Sequence, residues 1–189
     1  MRIFYMLFIS FLVFANTVLG ASTYQFRDYT WGEPRSVIKQ RLLKEGRQVT
    51  EEQYAIYYRE KIFNGDCQVV FLFTPSEQIL GSVNLIWNST ETGAKLKDEL
   101  TKKYGQPVKY NAYTEEYTWP GSSDYDKLCL DYNYGDTRLQ YYGGQYFEQY
   151  QKELTNVFSA KAGYPEQPQF RPHVIMELDG GRDNHSYKR

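Results

Sequence analysis

The chain has 189 residues, with 22 Lys and Arg against 23 Asp and Glu, and a net charge of −1. That balance gives no electrostatic footprint for nucleic acid and no basic face for a membrane surface. Nineteen Tyr and eleven Phe supply large amphipathic rings, which suit half-exposed sheet faces and binding surfaces.

The first residues read as a secretory signal. Arg2 provides the positive start, Ile3–Phe14 the apolar run, and Val18-Leu19-Gly20-Ala21 the small residues of a cut site after Gly20. The run is shorter and more interrupted than the roughly 20 residues of a spanning helix. Ala21 stands where a lipid-anchored bacterial protein carries Cys. The expectation is an exported protein, periplasmic or secreted, with no stable membrane insertion once residues 1–20 are gone. Loss of Arg2 moves the net charge from −1 to −2.

Tyr24 to Tyr29 alternates apolar and polar, which predicts a strand. Thr30 and Glu33 have capping-box spacing, and Pro34 is tolerated in a first turn, so a helix is expected from there to Glu45. Val37, Ile38 and Leu42 share one of its faces, and Gly46 ends it. From Tyr54 to Ile86 the period changes to two. Asn64-Gly65-Asp66 signals a hairpin. Val69–Phe73 is apolar on both faces and reads as a central, buried strand. Gln78–Trp87 forms the next.

A second helix is expected from Asn88-Ser89 to Tyr104, with Leu96, Leu100 and Tyr104 inward and acid-before-base pairs outward. Gly105 and Pro107 stop it. Strands follow within Lys109–Trp119, Lys127–Tyr134 and Arg138–Tyr142, with a loop at Pro120–Asp124. A third helix, Gln145 to Lys161, carries the stripe Phe147, Tyr150, Leu154, Val157 and Phe158. From Gly163 the composition turns to Pro and Gly, and a mobile tail over 163–189 is expected.

The order is a repeat: helix, then antiparallel strands, twice. The helix starts near Glu33 and Glu91 lie 58 residues apart, and Cys67 and Cys129 lie 62 apart. The fold class is α+β, with units at about 24–87 and 88–162 forming a sheet with helices on one face, plus a C-terminal helix. In an oxidising compartment the even pair Cys67 and Cys129 reads as one disulfide. The alternative is two buried thiols that never meet.

No catalytic or cofactor motif stands out, and neither a cofactor nor a metal site is expected. The two histidines, His173 and His185, fall in the tail, where no base can be held against a nucleophile. The acids beside them match neither a calcium loop nor a zinc site. A carboxylate pair such as Glu115 with Asp131 would be the basis of the alternative, a secreted hydrolase. The aromatic strands are the remaining signal. Tyr113, Trp119, Tyr132 and Tyr141 are the expected partner-binding residues if they project from an uncovered sheet face.

Phe26…Trp31-Gly32-Glu33, then Tyr104-Gly105-Gln106-Pro107 and the strand residue Trp119, resemble a recurring bacterial envelope architecture. They are similar to the tandem helix-plus-sheet modules of the β-lactamase-inhibitor-protein family and of small outer-membrane assembly lipoproteins, over about Tyr24 to Leu154. That resemblance implies protein binding by a concave, aromatic-rich sheet and no catalysis. The functional expectation is an exported module, an inhibitor or an envelope accessory, that binds another protein.

Overall fold

The twofold switch from helical period to strand period builds two copies of one unit. The computed structural model describes residues 22–109, 115–132 and 135–162. The expected signal segment, the tail 163–189 and Tyr113 lie outside them. Unit one comprises α1 (Arg35–Lys44), β1 (Thr50–Glu51), β2 (Ala55–Ile62), β3 (Gly65–Phe73) and β4 (Leu80–Trp87). Unit two comprises α2 (Glu91–Tyr104), β5 (Val108–Lys109), β6 (Glu116–Ser123), β7 (Asp126–Asp131) and β8 (Thr137–Tyr142). The helix α3 (Gln145–Ala162) follows.

The eight strands form one antiparallel sheet in the order β1-β2-β3-β4-β8-β7-β6-β5. The units therefore join edge to edge at β4 and β8, in register from Ser82↔Tyr142 to Trp87↔Thr137. The two outer strands are two residues each, which leaves little edge for a foreign strand to extend.

The first helix ends for a local reason. Gly46, at φ +75°, closes α1: its N–H reaches Leu43 O and that of Arg47 reaches Leu42 O, both at 3.0 Å. That pair of bonds needs a left-handed residue at this point, which glycine adopts without strain. In α2, Gly93 sits so close to Tyr132 that an added Cβ would fall 2.2 Å from that ring. Glycine lets the helix settle onto β7.

Two cores result, one on each face. On the first face Ile38 and Leu42 of α1 and Leu96 and Leu100 of α2 cover Phe71, Trp87, Trp119, Leu128 and Leu130. On the second, Phe147, Tyr150 and Leu154 of α3 cover Ala55, Val70, Leu72 and Tyr142. The expected helix-covered face is there, and the C-terminal helix takes the opposite one.

Four expectations are corrected. Residues 24–29 are not a strand: the backbone turns at Arg27, φ +54°, and Tyr24, Phe26 and Tyr29 are buried as anchors over the first face. The hairpin turn is one residue earlier than Asn64-Gly65. Ile62 pairs with Gly65, so Phe63 and Asn64 are the turn residues, at φ 52° and 61°. Pro120–Ser123 is not loop but the end of β6, accommodated by an irregular register between Pro120 and Ser123.

The fourth is the disulfide. Cys67 and Cys129 are both free. They do occupy the middle strands, β3 and β7, but β4 and β8 run between these. Three strand spacings alone put them at least about 14 Å apart, well beyond the Cα separation a disulfide spans. Their side chains also join different cores, Cys67 on the first face and Cys129 on the second. Burial pushes the Cys67 thiol up to about 12, which makes it an inert core group.

Candidate functional site

The segment 22–31 crosses the first face over the seam between the units. Tyr24 meets Tyr104 of α2 edge-on, at 5.1 Å between ring centroids. Phe26 touches both Phe71 of β3 and Tyr141 of β8. Tyr29 packs on Phe71 at 4.8 Å, beneath Arg41 of α1. The indole N–H of Trp31 is donated to Tyr24 O at 2.8 Å.

Between this segment and α2 the sheet is left partly uncovered. The gap is a groove of about 560 Å³, within the range of ligand sites. Its floor is Leu85, Leu139 and Tyr141, from the two strands of the seam. Leu96, Leu100 and Tyr104 of α2 form one wall, and Phe26 and Ile62 the other. Arg27, Glu99, Lys102 and Lys103 stand at its margin. Lys102 pairs with Glu99 at 2.8 Å and Arg27 with Glu60, while Lys103 lies over the Tyr104 ring, so the margin keeps a small positive excess.

Backbone strain concentrates here. Four non-glycine residues have positive φ among those described: Arg27, Phe63, Asn64 and Gln78. Arg27 and Phe63 line the groove, and Asn64 adjoins it. Phe63 is 58% exposed at the mouth. A left-handed conformation costs a non-glycine residue about 1–2 kcal/mol, and such strain clusters at working sites. Arg27 is held by Glu60, with Nη2 to Oε1 at 2.6 Å, and by the Tyr58 hydroxyl at 3.2 Å. Glu60 also pairs with Arg47 at 3.0 Å.

The expected partner-binding residues separate. Tyr141 floors the groove, and burial pushes its hydroxyl up to about 12. Trp119 is 1% exposed, with its indole N–H donated to Gly105 O at 2.9 Å. It is a core residue under α2 and presents no surface. Tyr132 stacks on Tyr117 with centroids 5.8 Å apart. Both hydroxyls reach the Glu115 carboxylate, and Lys97 Nζ lies 3.0 Å from the Tyr117 hydroxyl. This set ties α2 to the sheet margin. The alternation that placed these aromatics together holds, but their shared face is the helix-covered one.

The hydrolase alternative loses its suggested pair. Glu115 meets Tyr117 and Tyr132 on the first face, while Asp131 alternates with the core residue Leu130 and lies beside Arg138 on the second. Among the described residues no group of three or more His, Cys, Asp or Glu is arranged to hold a metal. No described helix is long and apolar enough to cross a membrane.

A smaller cleft of about 90 Å³ lies under α3, bounded by Tyr57, Asn84, Arg138, Gln140 and Tyr142. Its polar groups engage one another: the Tyr142 hydroxyl donates to Gln140 Oε1 at 2.8 Å, and Ser82 Oγ to Tyr141 O at 2.9 Å. It is room for a few waters. The groove had no sequence signal beyond Tyr141, because its walls come from three separated segments and its strained Phe63 reads as a strand end.

Comparison with protein-family models, with characterised proteins and with solved structures finds no match in any of the three.

Proposed function

We propose that the chain is an exported, extracytoplasmic protein-binding module, an inhibitor or envelope accessory, and that it grips its partner in the groove between the units. The observation that carries this reading is Phe63. It is a large aromatic held exposed in a left-handed turn at the mouth of an apolar groove. Nothing in hairpin stability favours it there, since Asn or Gly suits the position better. The partner segment is an apolar or aromatic side chain flanked by Asp or Glu. The apolar part matches Leu85, Leu100 and Leu139, and the acid matches Arg27, Lys102 and Lys103. Aromatic anchors of this kind carry most of the energy of an interface. The likeness in element order to tandem helix-plus-sheet envelope proteins supports the class of function, with the site moved from the open sheet to the seam.

The test is selection from a displayed random-peptide library on immobilised residues 21–189. Enriched peptides should pair a large apolar residue with nearby acids. A synthetic winner should lose about thirtyfold in affinity for Phe63→Ala, equivalent to about 2 kcal/mol. The double change Lys102→Glu and Lys103→Glu should weaken it several-fold, less so at high salt. No enrichment, or winners that bind the Phe63→Ala protein equally well, overturns the reading.

A further inference from the structure

Of the three cations at the groove, Arg27 alone is built into the fold. The segment that carries it is pinned at both ends. The Thr23 N–H donates to the buried Asp126 carboxylate at 3.0 and 2.9 Å, and the Gly32 N–H to Leu80 O at 2.9 Å. Between them the backbone is left-handed at Arg27, and its guanidinium carbon lies 5.0 Å from the centroid of the Phe26 ring. Nη1 donates to the Tyr58 hydroxyl at 3.2 Å and Nη2 to Glu60 Oε1 at 2.6 Å. The Tyr58 hydroxyl donates to the same Oε1 at 3.1 Å, so the two acceptors stand side by side at the end of the guanidinium. Lys102 and Lys103 are held by no such set. Lys102 is 71% exposed and meets only Glu99, itself 57% exposed.

A guanidinium has more N–H donors than these two acceptors use. Arg27 Nε donates to nothing among the described residues, so the side formed by Nε and Nη2 is left for a ligand. The charge is left as well. Glu60, 8% exposed, answers two arginines, Arg27 through Oε1 and Arg47 through Oε2 at 3.0 Å. Glu45 lies 3.8 Å from Arg47, beyond hydrogen-bond reach. The trio therefore carries a surplus positive charge, and Arg47 keeps Glu60 compensated when Arg27 meets a second anion. We infer that Arg27 is the specificity-determining residue of the groove. It takes the side-chain carboxylate of a partner Asp or Glu through Nε and Nη2 together, beside the apolar residue seated on Leu85, Leu100 and Leu139. A planar carboxylate matches that fork with two parallel bonds. The lysines are point charges on flexible stems, which attract an acid without fixing its place. The inference rests on the groove being the binding site, and the test separates the two.

A peptide selected on the groove is synthesised twice, with its acid as Glu and as Gln. Both forms are titrated against the unaltered chain, Arg27→Lys, Arg27→Asn and Lys102→Ala. Arg27→Lys keeps the charge and removes the fork, while Arg27→Asn suits the left-handed turn and removes both. On the unaltered chain the change from Glu to Gln should cost about tenfold in affinity. The ratio should fall to about threefold on Arg27→Lys and to about one on Arg27→Asn, and stay near tenfold on Lys102→Ala. A purely structural role for Arg27 would weaken both peptides alike and leave the ratio unchanged, which overturns the inference. A ratio that collapses only on Lys102→Ala overturns it too. Selected peptides that depend on Phe63 but carry no acid sink Arg27 alone and leave the groove standing. Peptides indifferent to Phe63→Ala sink the groove reading itself.

Discussion

Unit one is sheathed by a helix on each face, α1 on one and α3 on the other, whereas the strands β6 and β7 of unit two carry a helix on one face only. The consequence is written along their middle strands. In β3, Val69 to Phe73 are all buried, because Val70 and Leu72 meet α3 while Val69, Phe71 and Phe73 meet the α1 side. In β7, buried Asp126, Leu128 and Leu130 alternate with half-buried Lys127, Cys129 and Asp131. One topology thus yields a continuous apolar run in one half and an alternating strand in the other. The number of covering layers, and not the position in the sheet, sets the pattern.

The comparison breaks if the halves unfold separately. Trp87 and Trp119 give the largest handle. Each is 1% exposed, and each donates its indole N–H to a backbone carbonyl, Trp87 to Ile62 O at 3.1 Å and Trp119 to Gly105 O at 2.9 Å. Trp87→Ala and Trp119→Ala should each cost about 3–5 kcal/mol. The β4–β8 seam makes the sheet continuous, so urea unfolding followed by circular dichroism and by fluorescence should coincide in both variants. Two transitions in Trp119→Ala alone would show that the seam does not couple the units.

Asp126 tests the unit with fewer layers by pH. Burial works against its charge, but hydrogen bonds from Ser22, Ser122 and Thr23 outweigh that and hold its pKa down at about 2. The folded value is below the unfolded one. Its contribution, about 2 kcal/mol, is therefore present above the unfolded pKa near 4 and is lost as pH falls from there through 2. Asp126→Asn should flatten that part of the acid-stability curve and release the segment 22–31 to proteolysis. An unchanged acid curve would mean that the carboxylate's charge adds nothing beyond its shape.

Val70 and Cys129 sharpen the contrast in covering. They lie in one cross-strand row, Val70↔Asn84↔Gln140↔Cys129, on the second face. Val70 is a buried member of the core under α3, whereas Cys129 is half-buried at that core's border. Val70→Ala should cost about 2 kcal/mol, from lost burial and a residual cavity. Cys129→Ser should cost less than about 1 kcal/mol, since Thr118 Oγ1 at 3.6 Å offers the new hydroxyl a partner. Equal costs would show that something covers the two halves alike.

Much of this layering was legible. Val69–Phe73 announced a strand buried on both faces, and the Phe147, Tyr150, Leu154 stripe announced a docking helix. What the stripe could not announce is which face it takes, because periodicity fixes a helix's own apolar side and says nothing of its target. The same limit misplaced the aromatics: alternation puts Tyr117, Trp119 and the core leucines of β7 together, but not under a helix or in the open. The Asp126 anchor had no local signal at all. Its partner Thr23 is 103 residues away. The disulfide failed on topology, since joining the units at β4 and β8 puts the two middle strands apart.

Phe63 carries the smallest expected change in stability and the sharpest link to function. Both turn residues have positive φ, and Asn tolerates that conformation where Phe does not. At 58% exposure the ring has little burial to lose. Phe63→Asn should therefore raise stability by about 0.5–1 kcal/mol, or about 2 °C in Tm. It should at the same time remove the aromatic from the groove mouth and weaken selected peptides as strongly as Phe63→Ala does. A variant both more stable and a poorer binder would identify the strain as kept for recognition. A variant more stable and equally good at binding would make Phe63 an accident of the hairpin and overturn the groove as the binding site.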